Sequence, residues 1–137
     1  MNDLEKETLA KTLWGEARGE GIDGMRAVAN VIMNRVAISD QKGNYWWGKG
    51  IVGVCRKAWQ FSCWNVNDPN SIKLDNLTEE DSFYVTALKV ADEAISGCLV
   101  DKTKGSTHYH LVGLRPYWIK NEKVAEVIGN HIFYRIG

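Results

Sequence analysis

What this chain lacks narrows its function before any motif is read. Lysine plus arginine and aspartate plus glutamate each number 17, so no cationic excess points to a nucleic-acid backbone. No polybasic stretch points to an anionic membrane surface. No run approaches the roughly 18 apolar residues of a membrane span, so no membrane insertion is expected. The opening MNDLEKETLAK holds neither the apolar core of a secretory signal nor a twin-arginine pattern, and synthesis in the cytoplasm is the expectation. The three cysteines, Cys55, Cys63 and Cys98, are odd in number and lack CxxC spacing. That disfavours a disulfide framework or a cysteine zinc site and favours buried thiols. No internal repeat, low-complexity tract or Pro/Ser-rich linker divides the chain. Its 137 residues suit one domain, 1–137, around one core.

What is present is an ordinary globular composition, 45% hydrophobic and 25% charged, with six tryptophans. A tryptophan ring serves either as a flat platform for a sugar or base or as core packing. Asn2 and Glu5 are spaced for a capping box, opening a helix to about Ala17 that Gly19 and Gly21 would stop. Met25, Val28, Ala29, Ile32, Met33 and Val36 form one apolar stripe at helical spacing. A Gly/Asn/Trp-rich loop is expected over 39–50, a short helix from about Ile51 to Ala58, and loop over 65–76. Thr78 is positioned to cap a helix that buries Phe83, Tyr84, Ala87, Leu88, Ala91 and Ile95 and ends at Gly97. The last forty residues alternate: STHYHLV reads as a strand, and EVIGNHIFYRI as two strands around a Gly129-Asn130 turn. The sum is an α+β fold, mainly α, with a small β element.

Four clusters could carry chemistry. In LWGEARGEG, residues 13–21, Glu16 follows a tryptophan and a glycine near a helix end. A carboxyl partly desolvated there has a raised pKa and can serve as a general acid; the alternative is a charged, solvated helix end. Glu20, between two glycines, suits a loop-holding role, against Arg18 or Arg35. In WQFSCW, residues 59–64, Gln60 and Ser62 alternate with aromatics, as in a sugar-binding cleft wall or in a buried turn that satisfies its own backbone. Asn30 and Asn34, one turn apart and off the apolar stripe, are either ligand-binding amides or solvated ones. His108 and His110 share a strand face, and His131 lies on the later hairpin. Three histidines so placed could hold zinc, as in a metal-dependent amidase, or simply make ordinary hydrogen bonds.

Taken in order, LWGEARGEG…GMRAVANVIMNRV (13–36), WQFSCW (59–64), GSTHYH (105–110) and IGNHIFYR (128–135) resemble the SleB-type cell-wall hydrolases, which include spore cortex-lytic enzymes and phage lysis proteins. The likeness runs from Leu13 to Arg135 and is weakest over 65–104. It implies a lysozyme-like, mainly helical fold with a small sheet beside a peptidoglycan cleft, and the first glutamate of its GEARGE motif, Glu16, as catalytic acid. It makes Asn30, Gln60, Phe61, Ser62, Tyr109 and His131 candidate substrate-binding residues, with Glu20, Asn34 and Arg35 in support. It implies no cofactor and no metal. The expected partner is the peptidoglycan glycan strand, met by a monomer that reaches the wall after holin-dependent or similar release, as a phage-type endolysin does.

Glycan hydrolysis normally pairs two carboxylates. No motif supplies a second one here, since Asp68, Asp75 and Asp101 stand alone in loop-like sequence. A single-acid lytic transglycosylase is therefore the favoured reading. A hydrolytic muramidase, a zinc amidase using His108, His110 and His131, and a non-catalytic wall-binding module are the alternatives.

Overall fold

The computed structural model describes residues 3–57 and 60–136. Among the described residues five α-helices and a three-stranded sheet follow one another: α1 (Asp3–Ala17), α2 (Gly21–Lys42), α3 (Gly50–Arg56), α4 (Pro69–Asp75), α5 (Ser82–Ile95), β1 (His108–Leu111), β2 (Val124–Ile128) and β3 (His131–Tyr134). This is the mainly helical α+β architecture expected. The Asn2 cap, Ala58 and Trp59 lie outside the described residues.

Helices α1, α2 and α5 pack on one another, and α3 joins α1 and α2. Leu9, Leu13, Met25, Val28, Ala29, Ile32, Ala87, Val90 and Ala91 are sealed from solvent between them. The predicted stripe on α2 is thus the core face, with Met33 and Val36 at its margin. Helix α2 also buries a second face, which the stripe does not reveal. Ala27 and Val31 lie under Phe133 of the sheet, with Tyr109 and Ile128 beside them. A helix caught between a helical layer and a sheet must be apolar on both sides.

Three boundaries differ from expectation, each for a local reason. Helix α2 runs on to Lys42, so the loop begins at Gly43, whose left-handed φ of 64° lets its N–H bond the Ser39 carbonyl and end the helix. The stretch 65–76 contains α4, because Asp68 caps the Asn70 N–H and Pro69 occupies the first helical position, where its missing N–H does no harm. Helix α5 starts after Asp81, whose carboxylate accepts from the Phe83 and Tyr84 N–H groups, while Thr78 caps only a preceding turn. Phe83 is consequently half exposed rather than buried.

The sheet has the order β1–β3–β2 and is antiparallel throughout. Strands β2 and β3 form the hairpin read around Gly129-Asn130. Register places Tyr109 opposite Phe133 and Leu111 opposite His131. Those residues share the face turned to α2. His108 and His110, with Tyr134, occupy the other face.

Candidate active site

Helix α1 does not run directly into α2. It passes through one 3₁₀ turn, Arg18–Glu20, before Gly21, at φ 74°, redirects the chain. Glu16 is therefore in the last turn of α1, beside the sheet. Tyr109 of β1 donates its hydroxyl to the Glu16 Oε1 at 2.9 Å, a bond across 93 residues of sequence. From the other side comes Cys63. Helix α1 passes so near it that a Cβ on Gly15 would stand 2.5 Å from the Cys63 Cβ and 2.7 Å from its Sγ. Glycine in a helix interior costs about 0.5–1 kcal/mol relative to alanine. Here it admits the 61–64 turn against α1 and brings the Cys63 thiol and backbone into hydrogen-bonding range of Glu16.

These surroundings act on Glu16 in opposite directions. Burial is the largest influence and lifts its pKa above the ordinary carboxyl value; the bonds from Tyr109 and Cys63 pull it back, and the negative charge of Asp68 adds a further lift. The net shift is upward. Tyr109 is raised well above its ordinary value by burial and by Glu16, and Cys63 is raised too, so both remain protonated donors. Of the three loop aspartates, Asp68 is the one whose charge registers at Glu16. Asp101 instead gathers Thr103, Gly105 and Asn34 around itself and organises its own loop.

Glu20 does something else. Its Oε1 accepts the Asn130 backbone N–H at 2.7 Å and its Oε2 accepts the Asn130 side-chain amide at 3.1 Å. It thereby ties the β2–β3 turn to the start of α2. Gly24 leaves the room its Cβ occupies, and a Cβ on Gly129 would stand 3.1 Å from its Oε1. His131, buried next to it, has its Nδ1 3.5 Å from Glu20 without a hydrogen bond. The imidazole ring meets the Tyr109 ring edge-on at 5.0 Å. His131 thus links Glu20 to Tyr109, the partner of Glu16. Burial lowers the His131 pKa, against the pull of Glu20.

Arg35 is buried, and its Nε donates to the Thr107 carbonyl at 2.7 Å, fixing the entry to β1. Its guanidinium lies over the rings of Trp47 and Phe61, at 5.5 and 5.7 Å. Burial brings its pKa down to about 10, so it is still a cation at neutral pH. Burial of His108 and, after it, the Arg35 charge bring the His108 pKa down to about 4.

The other predicted residues are placed as follows. Gln60 donates to the Trp47 and Val54 carbonyls, at 3.0 and 2.7 Å, bracing the 43–49 loop against α3. Phe61 is buried in the core beneath Arg35, and Ser62 is exposed at the start of the following 3₁₀ turn. Asn30 is buried with both ends of its amide committed to the Val100 carbonyl and the Lys102 N–H; Asn34 binds Asp101 and the Ser106 carbonyl. These two amides hold the loop before β1.

The three-histidine metal reading does not survive the register. His108 and His110 face Trp118 on the outer side of the sheet, whereas His131 is on the inner side with Tyr109. Among the described residues no group of three His, Cys, Asp or Glu side chains is disposed to hold a metal. Sequence reasoning missed Cys63 and Trp47. The first lies inside WQFSCW, and its neighbour Gly15 in mid-helix is the signal of a close approach; nothing in the pattern marks Trp47.

The site joins a desolvated carboxyl, Glu16, to the phenol of Tyr109 at the junction of a helical body and a small sheet. The chain belongs to the cell wall hydrolase family, whose model, described as Cell Wall Hydrolase, matches residues 19–134. That match begins after Glu16. Solved structures similar to it include the catalytic domain of the germination-specific lytic transglycosylase SleB from Bacillus anthracis (27% identity, TM-score 0.73, covering 98% of this chain and 97% of that one). The catalytic domain of the Bacillus cereus SleB protein is similar as well (27% identity, TM-score 0.72, 98% and 91% covered). No curated protein sequence matches the chain.

Proposed function

We propose that this enzyme is a peptidoglycan lytic transglycosylase that cuts between N-acetylmuramic acid and N-acetylglucosamine, with Glu16 as its one acid–base group. The observation that carries this is the Glu16–Tyr109 pair: a carboxyl raised by burial, yet held by a donor that supports its anion. A single-acid cycle needs both properties. In the first half, Glu16 protonates the bridging oxygen, the C1–O bond breaks, and positive charge develops on the muramic acid ring. In the second half, the Glu16 carboxylate takes the proton of that ring's own C6 hydroxyl as the C6 oxygen bonds to C1. The product is a 1,6-anhydro ring, no water is consumed, and Glu16 is returned protonated. Burial favours the acid of the first half. The Tyr109 bond supports the carboxylate of the second.

The similarity to a SleB lytic transglycosylase domain supports the same reaction. The test is digestion of purified peptidoglycan with mass spectrometry of the products. Anhydro-muropeptides are expected. Reducing-end muramic acid would replace this reading with hydrolysis, for which Asp68, the aspartate felt at Glu16, is the candidate second carboxylate; released stem peptides would replace it with amidase action. The phage-type setting belongs to the same proposal. Induced cells should lyse only when a holin is co-expressed, and lysis by this chain alone overturns that part.

A further inference from the structure

A second feature lies at the far end of α2 from Glu20. Where the helix ends, Ile38, Ser39, Lys42, Asn44, Trp46 and Trp47 enclose a shallow pocket of about 180 Å³. Three observations set it apart from ordinary surface. Trp46 is 79% exposed, the most open tryptophan ring described, and it is held out by structure rather than left loose. Its backbone N–H bonds the Asn44 side chain at 3.2 Å, and the Gly48 N–H closes the turn onto the Tyr45 carbonyl at 2.9 Å. Ser39 is only 2% exposed, and its hydroxyl has no hydrogen-bond partner among the described residues. A buried unpartnered hydroxyl is unfavourable, and a polar group of a ligand in the pocket would satisfy it. Trp47 stands between this pocket and the Arg35 side of the sheet. It lines this pocket, its ring stands 5.5 Å from the Arg35 guanidinium and 6.0 Å from the His108 ring, and the Arg35 charge is felt at Tyr109, the partner of Glu16.

We infer that this pocket is a distal sugar subsite, in which Trp46 stacks on a pyranose ring of the glycan strand and Ser39 bonds one of that ring's polar groups, beyond the two sugars that straddle Glu16. The inference rests on the glycan-cleaving reading above and extends it to how a strand is gripped. The chemistry fits the occupant. A pyranose offers a face of C–H groups to an aromatic platform and a rim of hydroxyl and amide groups to a serine and an asparagine. The volume is below the roughly 300 Å³ at which sites for drug-sized molecules begin, so it suits one ring. On this proposal a strand held at Glu16 continues past Trp47, which lines the pocket, to Trp46.

The test uses the full chain carrying Glu16→Gln, so that strands bind without being cut. Peptide-free glycan strands of four and of eight sugars are titrated calorimetrically. The eight-sugar strand should bind more tightly than the four-sugar strand, by roughly tenfold. Adding Trp46→Ala should remove that advantage, and adding Ser39→Ala should reduce it severalfold while the ligand-free protein melts no lower than its parent. Equal affinity for both lengths in the Glu16→Gln protein, or a length advantage that persists in Trp46→Ala, overturns the subsite. Because binding is read without cleavage, the subsite can stand even if the products of the active enzyme prove not to be anhydro sugars. Conversely, anhydro products with no length dependence would leave the reaction intact and remove the subsite.

Discussion

Glu16 and Glu20 are four residues apart in one motif, and their surroundings are opposites. Glu16 is partly buried at the end of α1, held by a phenol and a thiol, with its proton affinity raised. Glu20 has both carboxylate oxygens engaged by Asn130 and ties a β-turn to a helix. On an unbroken α-helix residues at i and i+4 share a face. The 3₁₀ turn at Arg18–Glu20, entered through the non-helical φ of −143° at Ala17, breaks that relation and sends the two side chains to different tasks. The same side chain holds its proton more tightly in one place and serves as a tether in the other because of what is packed around it.

The largest expected effect tests that division directly. Glu16→Gln should lower cleavage of purified sacculi by on the order of 10²–10⁴-fold, the usual contribution of a positioned general acid. The far-ultraviolet spectrum and unfolding midpoint should show a folded protein. Glu20→Gln, assayed where it is folded, should keep at least about a tenth of the activity. Equal losses in the two variants would mean that Glu20 takes part in the chemistry.

Next in size is the phenol. Tyr109→Phe keeps the ring that packs on His131 and Phe133 and removes only the donor to Glu16. Activity should fall by roughly 10–100-fold, as for a lost hydrogen bond to a charged group worth about 1.5–3 kcal/mol. The pH profile should also move in a defined direction. With Glu16 as the proposed acid, activity should require its protonated form and decline as pH rises through its pKa. The Tyr109 bond lowers that pKa, so removing it should shift the alkaline limb to higher pH. An unshifted limb would show that Tyr109 does not support the Glu16 anion.

Much of this site is legible in the sequence, and what is not has physical causes. The α2 stripe and the Gly129-Asn130 hairpin follow from periodicity and turn chemistry, which are local. The α4 helix was also locally encoded, by Asp68 and Pro69, but the polar composition of 65–76 outweighed that two-residue signal. The raised pKa of Glu16 was readable only as a possibility, because the packing that surrounds it brings in residues distant in sequence, Tyr109 and Cys63 among them. The loop-bracing roles of Gln60, Asn30 and Asn34 were hidden for the same reason: a polar side chain on a helix or turn looks alike whether it will meet a sugar or a backbone carbonyl. The histidines failed as a set because strand register, which decides which face His131 occupies, is a property of the pairing between β1 and β3.

The tether should show itself in stability. Glu20→Ala removes two hydrogen bonds to Asn130 at the protein surface, which should cost about 1 kcal/mol in urea unfolding. Asn130→Ala, which keeps the backbone bond, should cost less. If Glu20→Ala unfolds at the same urea concentration as the parent, the turn is held by the hairpin alone.

The smallest effect is the most diagnostic of environment, because it separates the two regions by pH. Glu16 has a folded pKa above the ordinary 4.5, so the folded protein binds more protons than the unfolded chain just above that pH. Its burial therefore lowers stability as pH rises through that window, and Glu16→Gln should gain stability relative to the parent between acid and neutral pH. His131 behaves in the reverse sense. Its folded pKa is below 6.5, so the unfolded chain binds more protons and stability is lost as pH falls from 6.5 toward the folded value. Unfolding midpoints of the parent, Glu16→Gln and His131→Gln between pH 4 and pH 8 should thus converge and diverge in opposite directions. Parallel curves for all three would mean that neither group is desolvated as the packing around Tyr109 requires.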